Sequence, residues 1–248
     1  MIKPTLVLLH GWAVHSAIWH AVEEELSAHF KLHPIELPGY GERQSENGDL
    51  DLDQLADDVL SQAPPQAHWM GWSLGSIVAM SAALHQSDQI TSLTLVSPTP
   101  LFMQIDGWPH GITLPALENL QGRFQSDYST ALKRFLLMQA GTDQVARTNA
   151  KATWQRLTES PAPTKATLDA GLEILKNTDL RGKVGGISVP TRIITCQEDR
   201  VIPAAAGQAL HEIIPQSTLL ELPSGHAPMI QIPSAFVEAT TAVLNPKP

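Results

Sequence analysis

Apolar and polar positions along this chain follow two rhythms. Thr5 to Leu9 is an unbroken apolar run, the pattern of a strand buried on both faces in a parallel sheet. Ile18, Trp19, Val22, Leu26 and Phe30 then recur at helical spacing, with Glu23, Glu24 and Glu25 on the wet side, which predicts a helix. Lys31 to Leu37 reads as a second strand, closed by the turn Pro38-Gly39-Tyr40-Gly41. Asp51 stands where a cap is needed, ahead of a helix carrying Leu52, Leu55, Val59 and Leu60. Gln66 to Met70 predicts a third strand, Ser76 to His85 an alanine-rich helix, and Ile90 to Val96 a fourth strand.

After Pro98 the strand rhythm stops. From about Gly111 to Leu180 the spacing predicts helices only: about Ser129 to Ala140, Asp143 to Leu157 and Thr164 to Asn177, with Gly141, Pro161 and Pro163 as the breaks. Alternation then resumes with a strand at Val189 to Thr195, a helix at Ala204 to Ile213, a strand at Thr218 to Leu222 and a closing helix at Ser234 to Leu244. Strands alternating with helices imply an α/β fold, a mostly parallel central sheet flanked by helices. The expected division is a core of residues 1–110 and 181–248, with residues 111–180 inserted as a helical lid over the sheet edge.

Composition narrows the functional classes. The chain has 248 residues, enough for one large domain with an insertion, and its 17% charged content is that of an ordinary globular protein. A formal net charge of −9 argues against a general affinity for nucleic acid or an anionic membrane. Cys196 is the single cysteine, so no internal disulfide forms. The start, Met1-Ile2-Lys3-Pro4, has no signal-peptide pattern, and no apolar run reaches membrane-spanning length. A cytoplasmic monomer that needs no metal and no cofactor is expected.

Candidate chemistry centres on Gly71-Trp72-Ser73-Leu74-Gly75, a Gly-x-Ser-x-Gly motif between a predicted strand and a predicted helix. Such a turn lifts the serine oxygen clear of the sheet rim, and small flanking residues let neighbouring backbone come close. Two more functional groups fall at predicted strand ends, Asp199 and His226. A serine hydroxyl is a weak nucleophile at neutral pH, so His226 is the candidate base that takes its proton and returns it to the leaving group. Asp199 would hold the other ring nitrogen, with Glu198 and Asp106 as alternative acids. Backbone N–H groups of Leu74 and Trp12 are the candidate oxyanion donors. His10 reads as a shaper of the loop ahead of Trp12. His10, His15 and His20 lie five apart, off the spacing that aligns metal ligands on a helix. Cys196, in an apolar strand, reads as core.

With these residues in view, the chain resembles the α/β-hydrolase family, whose order of nucleophile, acid and histidine it shares. Within that family it is similar to the esterases that remove the methyl ester from pimeloyl-acyl carrier protein in biotin synthesis. The likeness is carried by LVLLHGW (Leu6 to Trp12), EELSAHF (Glu24 to Phe30), GWSLG (Gly71 to Gly75), RFLLMQ (Arg134 to Gln139), GLEILK (Gly171 to Lys176) and His226-Ala227-Pro228. It implies that Phe135, Leu136, Leu137, Met138 and Gln139 line an acyl channel, with Trp12, Ser73, Leu74 and His226 at the reacting end. Read without the family, Leu132, Phe135, Leu136 and Gln139 form one face of a helix, and core packing accounts for it equally well. Arg134, Arg147 and Lys151 match positions that contact the carrier protein, although Lys151 stands for an arginine and Thr130 for another. Lysine lacks the arginine fork.

Charge bears on that partner separately. Between residues 133 and 156, Lys133, Arg134, Arg147, Lys151 and Arg156 face one acid, Asp143, a local charge of +4. Such a patch on an acidic body would steer an acidic carrier protein to the cleft, though an ordinary solvated helix face has the same composition. Two departures from the family stand out. An edge strand ahead of Thr5 is expected in the family and has too few residues here, and Ser76 replaces a glycine where the helix approaches the sheet. A hydrolase of small esters, lactones or thioesters, or a non-catalytic ligand-binding protein on the same scaffold, are the alternative readings.

Overall fold

A computed structural model describes residues 3–46, 48, 51–85 and 87–242. β1 (Thr5–Leu9) leads through a 3-10 stretch (Ser16–Val22) into α1 (Glu23–His29). β2 (Lys31–Ile35), α2 (Leu52–Gln62), β3 (Ala67–Trp72), α3 (Leu74–His85) and β4 (Ile90–Val96) follow. Four helices come next: α4 (Leu114–Ser126), α5 (Tyr128–Ala140), α6 (Gln144–Leu157) and α7 (Lys165–Asn177). The chain then returns through β5 (Thr191–Cys196), α8 (Ala204–Ile213), β6 (Ser217–Leu222), α9 (Pro228–Gln231) and α10 (Pro233–Thr241).

The sheet among the described residues has six strands in the order β2-β1-β3-β4-β5-β6. Every neighbouring pair is parallel, so all strand C-termini open onto one rim. Alternate residues of each strand feed opposite layers. Val7, Leu9 and Trp69 pack with α2, α3 and α7, while Leu6, Leu8, Met70 and Trp72 pack with α1, α5, α6 and α10. α5 lies between α4 and α6, and α6 rests on α9 and the 3-10 stretch.

Several boundaries differ from those the pattern predicts. The five apolar positions of the expected helix, Ile18, Trp19, Val22, Leu26 and Phe30, are buried as foreseen, but the backbone turns from 3-10 to α geometry at Val22. β2 stops at Ile35, two residues short of Leu37, because Leu37 N–H is taken by the His10 ring. β3 runs on to Trp72, carrying the first two residues of the serine motif inside the strand. β5 begins after Pro190, which cannot donate to a ladder. α4 is a helix the sequence reading did not predict, although Leu117, Leu120 and Phe124 at helical spacing and Pro115 in its first turn carry the signal. Leu244, the foreseen end of the last helix, lies outside the described residues. Among the described residues no strand precedes β1, and no helix is long and apolar enough to cross a membrane.

Gly71 and Gly75 show why the motif needs small residues. A Cβ at Gly71 would overlap the carbonyl of Gly75, and one at Gly75 would overlap the carbonyls of Leu9 and His10. The obstacles are backbone atoms and cannot rotate aside. Gly75→Ala is therefore expected to lower the unfolding free energy in urea by about 1–3 kcal/mol or more, the cost of overpacking. A variant as stable as the parent would show that α3 does not press on β1 as described.

Candidate active site

Ser73 occupies the single-residue corner between β3 and α3. Its φ is +56°, a region that costs a non-glycine residue energy unless its surroundings impose it. Here Ser73 N–H donates to Val96 O at 3.0 Å, while Ser73 O accepts from Ser76 N–H at 2.9 Å and from Ser76 Oγ at 2.6 Å. Ser76, which stands where the family has a glycine, thus caps the corner.

His226 follows the end of β6. Its Nε2 lies 3.0 Å from Ser73 Oγ and its Nδ1 lies 2.7 Å from Asp199 Oδ2. A proton on Nδ1 donates to the carboxylate and leaves the Nε2 lone pair facing the serine hydroxyl. Asp199, after β5, has a fully buried side chain. Its second oxygen, Oδ1, accepts from the N–H groups of Val201 and Ile202, both at 2.8 Å. These three donors replace the water that burial removes from the carboxylate. Glu198 and Asp106, the alternative acids, are exposed.

The histidine loop is held from several sides. His226 N–H donates to Gln139 Oε1 at 2.8 Å, and Gly225 N–H donates to Gln231 Oε1 at 2.6 Å. His226 O accepts from Trp72 Nε1 at 2.7 Å and from Ser97 Oγ at 3.2 Å. The Ser97 contact joins positions 129 residues apart, and the Gln231 contact, though only six residues from Gly225, belongs to no motif, so the sequence gives no signal of either.

The loop after β1 completes the rim. His10 is fully buried; with its proton on Nδ1 it donates to Gly11 O at 2.9 Å, and Nε2 accepts from Leu37 N–H at 3.0 Å. Burial lowers its pKa, so the ring is neutral and fastens the loop to the chain beyond β2. Trp12 donates through Nε1 to Leu168 O at 2.9 Å and meets Phe124 edge-on at 4.8 Å. Tyr128 donates to Ala13 O at 2.9 Å, and Ala13 itself has φ +62°. The four-helix insertion is thus tied to this loop through α4, α5 and α7. Leu74 is the first residue of α3, where backbone N–H groups have no partner within the helix.

The five residues expected to line an acyl channel spread around α5. Phe135 faces His226 edge-on at 6.3 Å, and Gln139 reaches the His226 backbone. Leu136 is fully buried in the core. Leu137 lines a groove between α5 and α6 with Lys133, Arg147 and Lys151. Met138 is 54% exposed, on the side of α4. Successive helix residues turn by about 100° each, so one channel cannot collect all five. The basic patch also divides. Arg134 lines the α4–α5 groove, and Arg156 stands apart from both, in a groove with Glu23, Glu36 and Glu42. Cys196 is buried, and burial pushes its thiol up to about 11, which leaves it unreactive.

The alpha/beta hydrolase family matches the chain over residues 6–239. The pimeloyl-[acyl-carrier protein] methyl ester esterase of Klebsiella pneumoniae is 37% identical over 239 residues, covering 96% of this chain and 92% of that protein. The protein of the same name from Salmonella typhi is 37% identical over 235 residues, covering 94% and 91%. Among solved structures, an esterase from Exiguobacterium antarcticum superposes with a TM-score of 0.86 at 23% identity, over 98% of this chain and 92% of that one. An enol-lactonase from Burkholderia xenovorans gives 0.81 at 20% identity, over 98% and 92%. At those identities the two structures speak for the fold alone. Matched over nearly its whole length, the chain belongs to the alpha/beta hydrolase family.

Proposed function

We propose that this chain is a serine carboxylesterase that hydrolyses the methyl ester of a pimeloyl chain held on acyl carrier protein. The observation that carries the reading is the hydrogen-bonded series Asp199–His226–Ser73, at 2.7 and 3.0 Å. Relatives that share 37% of its residues are named for that substrate.

In this reading Ser73 Oγ attacks the ester carbonyl carbon while His226 Nε2 takes its proton. Asp199 stabilises the imidazolium and keeps the ring in the productive tautomer. The tetrahedral oxyanion is met by the N–H groups of Leu74 and Trp12, where the start of α3 adds positive potential. Collapse breaks the bond to the methoxy oxygen, His226 returns the proton, and methanol leaves. A water molecule then attacks the acyl-enzyme with His226 as base, freeing the carboxylate and restoring Ser73. Gln139 acts as a positioning residue: it grips the backbone of His226, and its chemistry reaches the substrate only through that histidine. Phe135 and Trp12 supply apolar walls beside the reacting ester.

The carrier protein would meet the groove between α5 and α6. Lys133, Arg147 and Lys151 line it with Leu137, Gln144, Thr148 and Ala150, and no acid is among them. An acidic helix suits that lining, and the opposite net charge of the body would turn an approaching acidic partner toward it.

Two outcomes test this function. Asp199→Asn is expected to lower kcat for a p-nitrophenyl ester by about 10⁴-fold with the fold intact, and Ser73→Ala by at least as much. Turnover of Ser73→Ala at the parent rate would end the serine-esterase reading. Raising ionic strength is expected to depress kcat/KM for the carrier-borne ester far more than for a small neutral ester, with a shallower slope in Arg147→Gln/Lys151→Gln. Equal slopes for both substrates in the parent would point to a hydrolase of small free esters.

A further inference from the structure

A second groove, of about 350 Å³, runs between α4 and α5 and shares only Phe135 with the steps above. Its apolar wall is Leu120, Phe124, Ala131, Phe135 and Met138, and its polar rim is Arg123, Ser126, Asp127, Thr130 and Arg134. Its inner wall adjoins the candidate catalytic residues, because Phe124 packs on Trp12 and Phe135 faces His226. Met138, the most exposed of the apolar wall residues, leaves the outer side open at 54% exposure.

The rim charges are unbalanced. Asp127 is its one acid, and its Oδ1 already accepts from Thr130 N–H at 3.0 Å, capping α5. Arg134 feels the Asp127 charge without a hydrogen bond to it. Among the described residues neither Arg123 nor Arg134 makes a side-chain hydrogen bond or ion pair. Two free guanidinium groups above an apolar trough whose walls Phe124 and Phe135 back onto Trp12 and His226 fit one kind of occupant: an extended, largely uncharged chain bearing an anionic group. Arginine is suited to phosphate in particular, through its planar fork of donors.

We propose that Arg123 and Arg134 form a clamp for the phosphate of the substrate's carrier arm, with Arg123 as a specificity-determining residue. Acyl carriers hold their acyl group on a flexible pantetheine arm joined to the protein through a phosphodiester, so the substrate has the shape and charge that the groove asks for. The clamp rests on the reading of the chain as a carrier-dependent esterase. It divides the work between two grooves. The cations beside α6 meet the carrier's acidic surface, and the α4–α5 groove takes the arm. Arg123 belongs to α4, the helix that the sequence pattern left unassigned.

The test uses the full chain and pantetheine 4′-phosphate as the probe, read as a competitive inhibitor of p-nitrophenyl ester hydrolysis. Arg123→Gln is expected to raise the inhibition constant of the phosphate-bearing probe about tenfold, the loss of one charge-assisted hydrogen bond. Pantetheine without the phosphate should inhibit parent and variant alike. The ratio of kcat/KM for the carrier-borne ester to that for the small ester should fall about tenfold, through KM rather than kcat, with partial recovery in Arg123→Lys. An inhibition constant equal to the parent's would overturn the clamp. A parent that turns over the small ester but not the carrier-borne one would instead overturn the underlying reading, while the inhibition series still reports on the clamp itself.

Discussion

A serine held at φ +56° does not stay there on its own account. The corner at Ser73 exists because Val96, Ser76 and the closely packed carbonyl of Leu9 leave the chain no other path. Gly71 and Gly75 make that crowding possible, and the strain it imposes is what turns the hydroxyl toward His226. If α3 relaxed away from β1, the series of hydrogen bonds would lose its nucleophile while its acid and base remained in register.

The parallel sheet does the rest of the gathering. Ser73, Asp199 and His226 are separated by long stretches of sequence, yet each follows the C-terminal end of a strand, and in a sheet of parallel strands those ends share a rim. The insertion of α4 to α7 packs beside this rim. It is fastened through Trp12 to Leu168, Tyr128 to Ala13 and Gln139 to His226, so every one of these ties touches the loop of a candidate catalytic group. The inserted helices and the loops of the candidate catalytic groups are consequently held in place by the same few contacts.

Much of this was legible in the sequence, and the reasons are local. Apolar runs such as Leu6 to Leu9 and the glycine pair around Ser73 state their structure within a few residues. The five-residue run Phe135 to Gln139 was read as one lining, and the helix spreads it around its axis, so that Phe135 and Gln139 reach the histidine while Met138 does not. The grouping of Arg156 with the other cations failed for a related reason, since charge along a sequence says nothing of which groove a side chain enters. The supports from Gln231 and Ser97 were not legible because both residue types are common and belong to no motif, and the partner of Ser97 lies far along the chain.

His10 shows what such a long-range support entails. Both of its ring nitrogens are committed, one to Gly11 O and one to Leu37 N–H, and burial depresses its pKa from the ordinary 6.5. The folded chain therefore binds a proton at this ring less readily than the unfolded chain does. Its contribution to stability is complete above that ordinary value and drains away as the medium is acidified through it. Protonation would put an N–H where Leu37 N–H needs an acceptor, and the first segment to loosen would be the loop carrying Trp12. Acid would thus work against the loop beside the nucleophile through a ring that takes no part in the catalytic series.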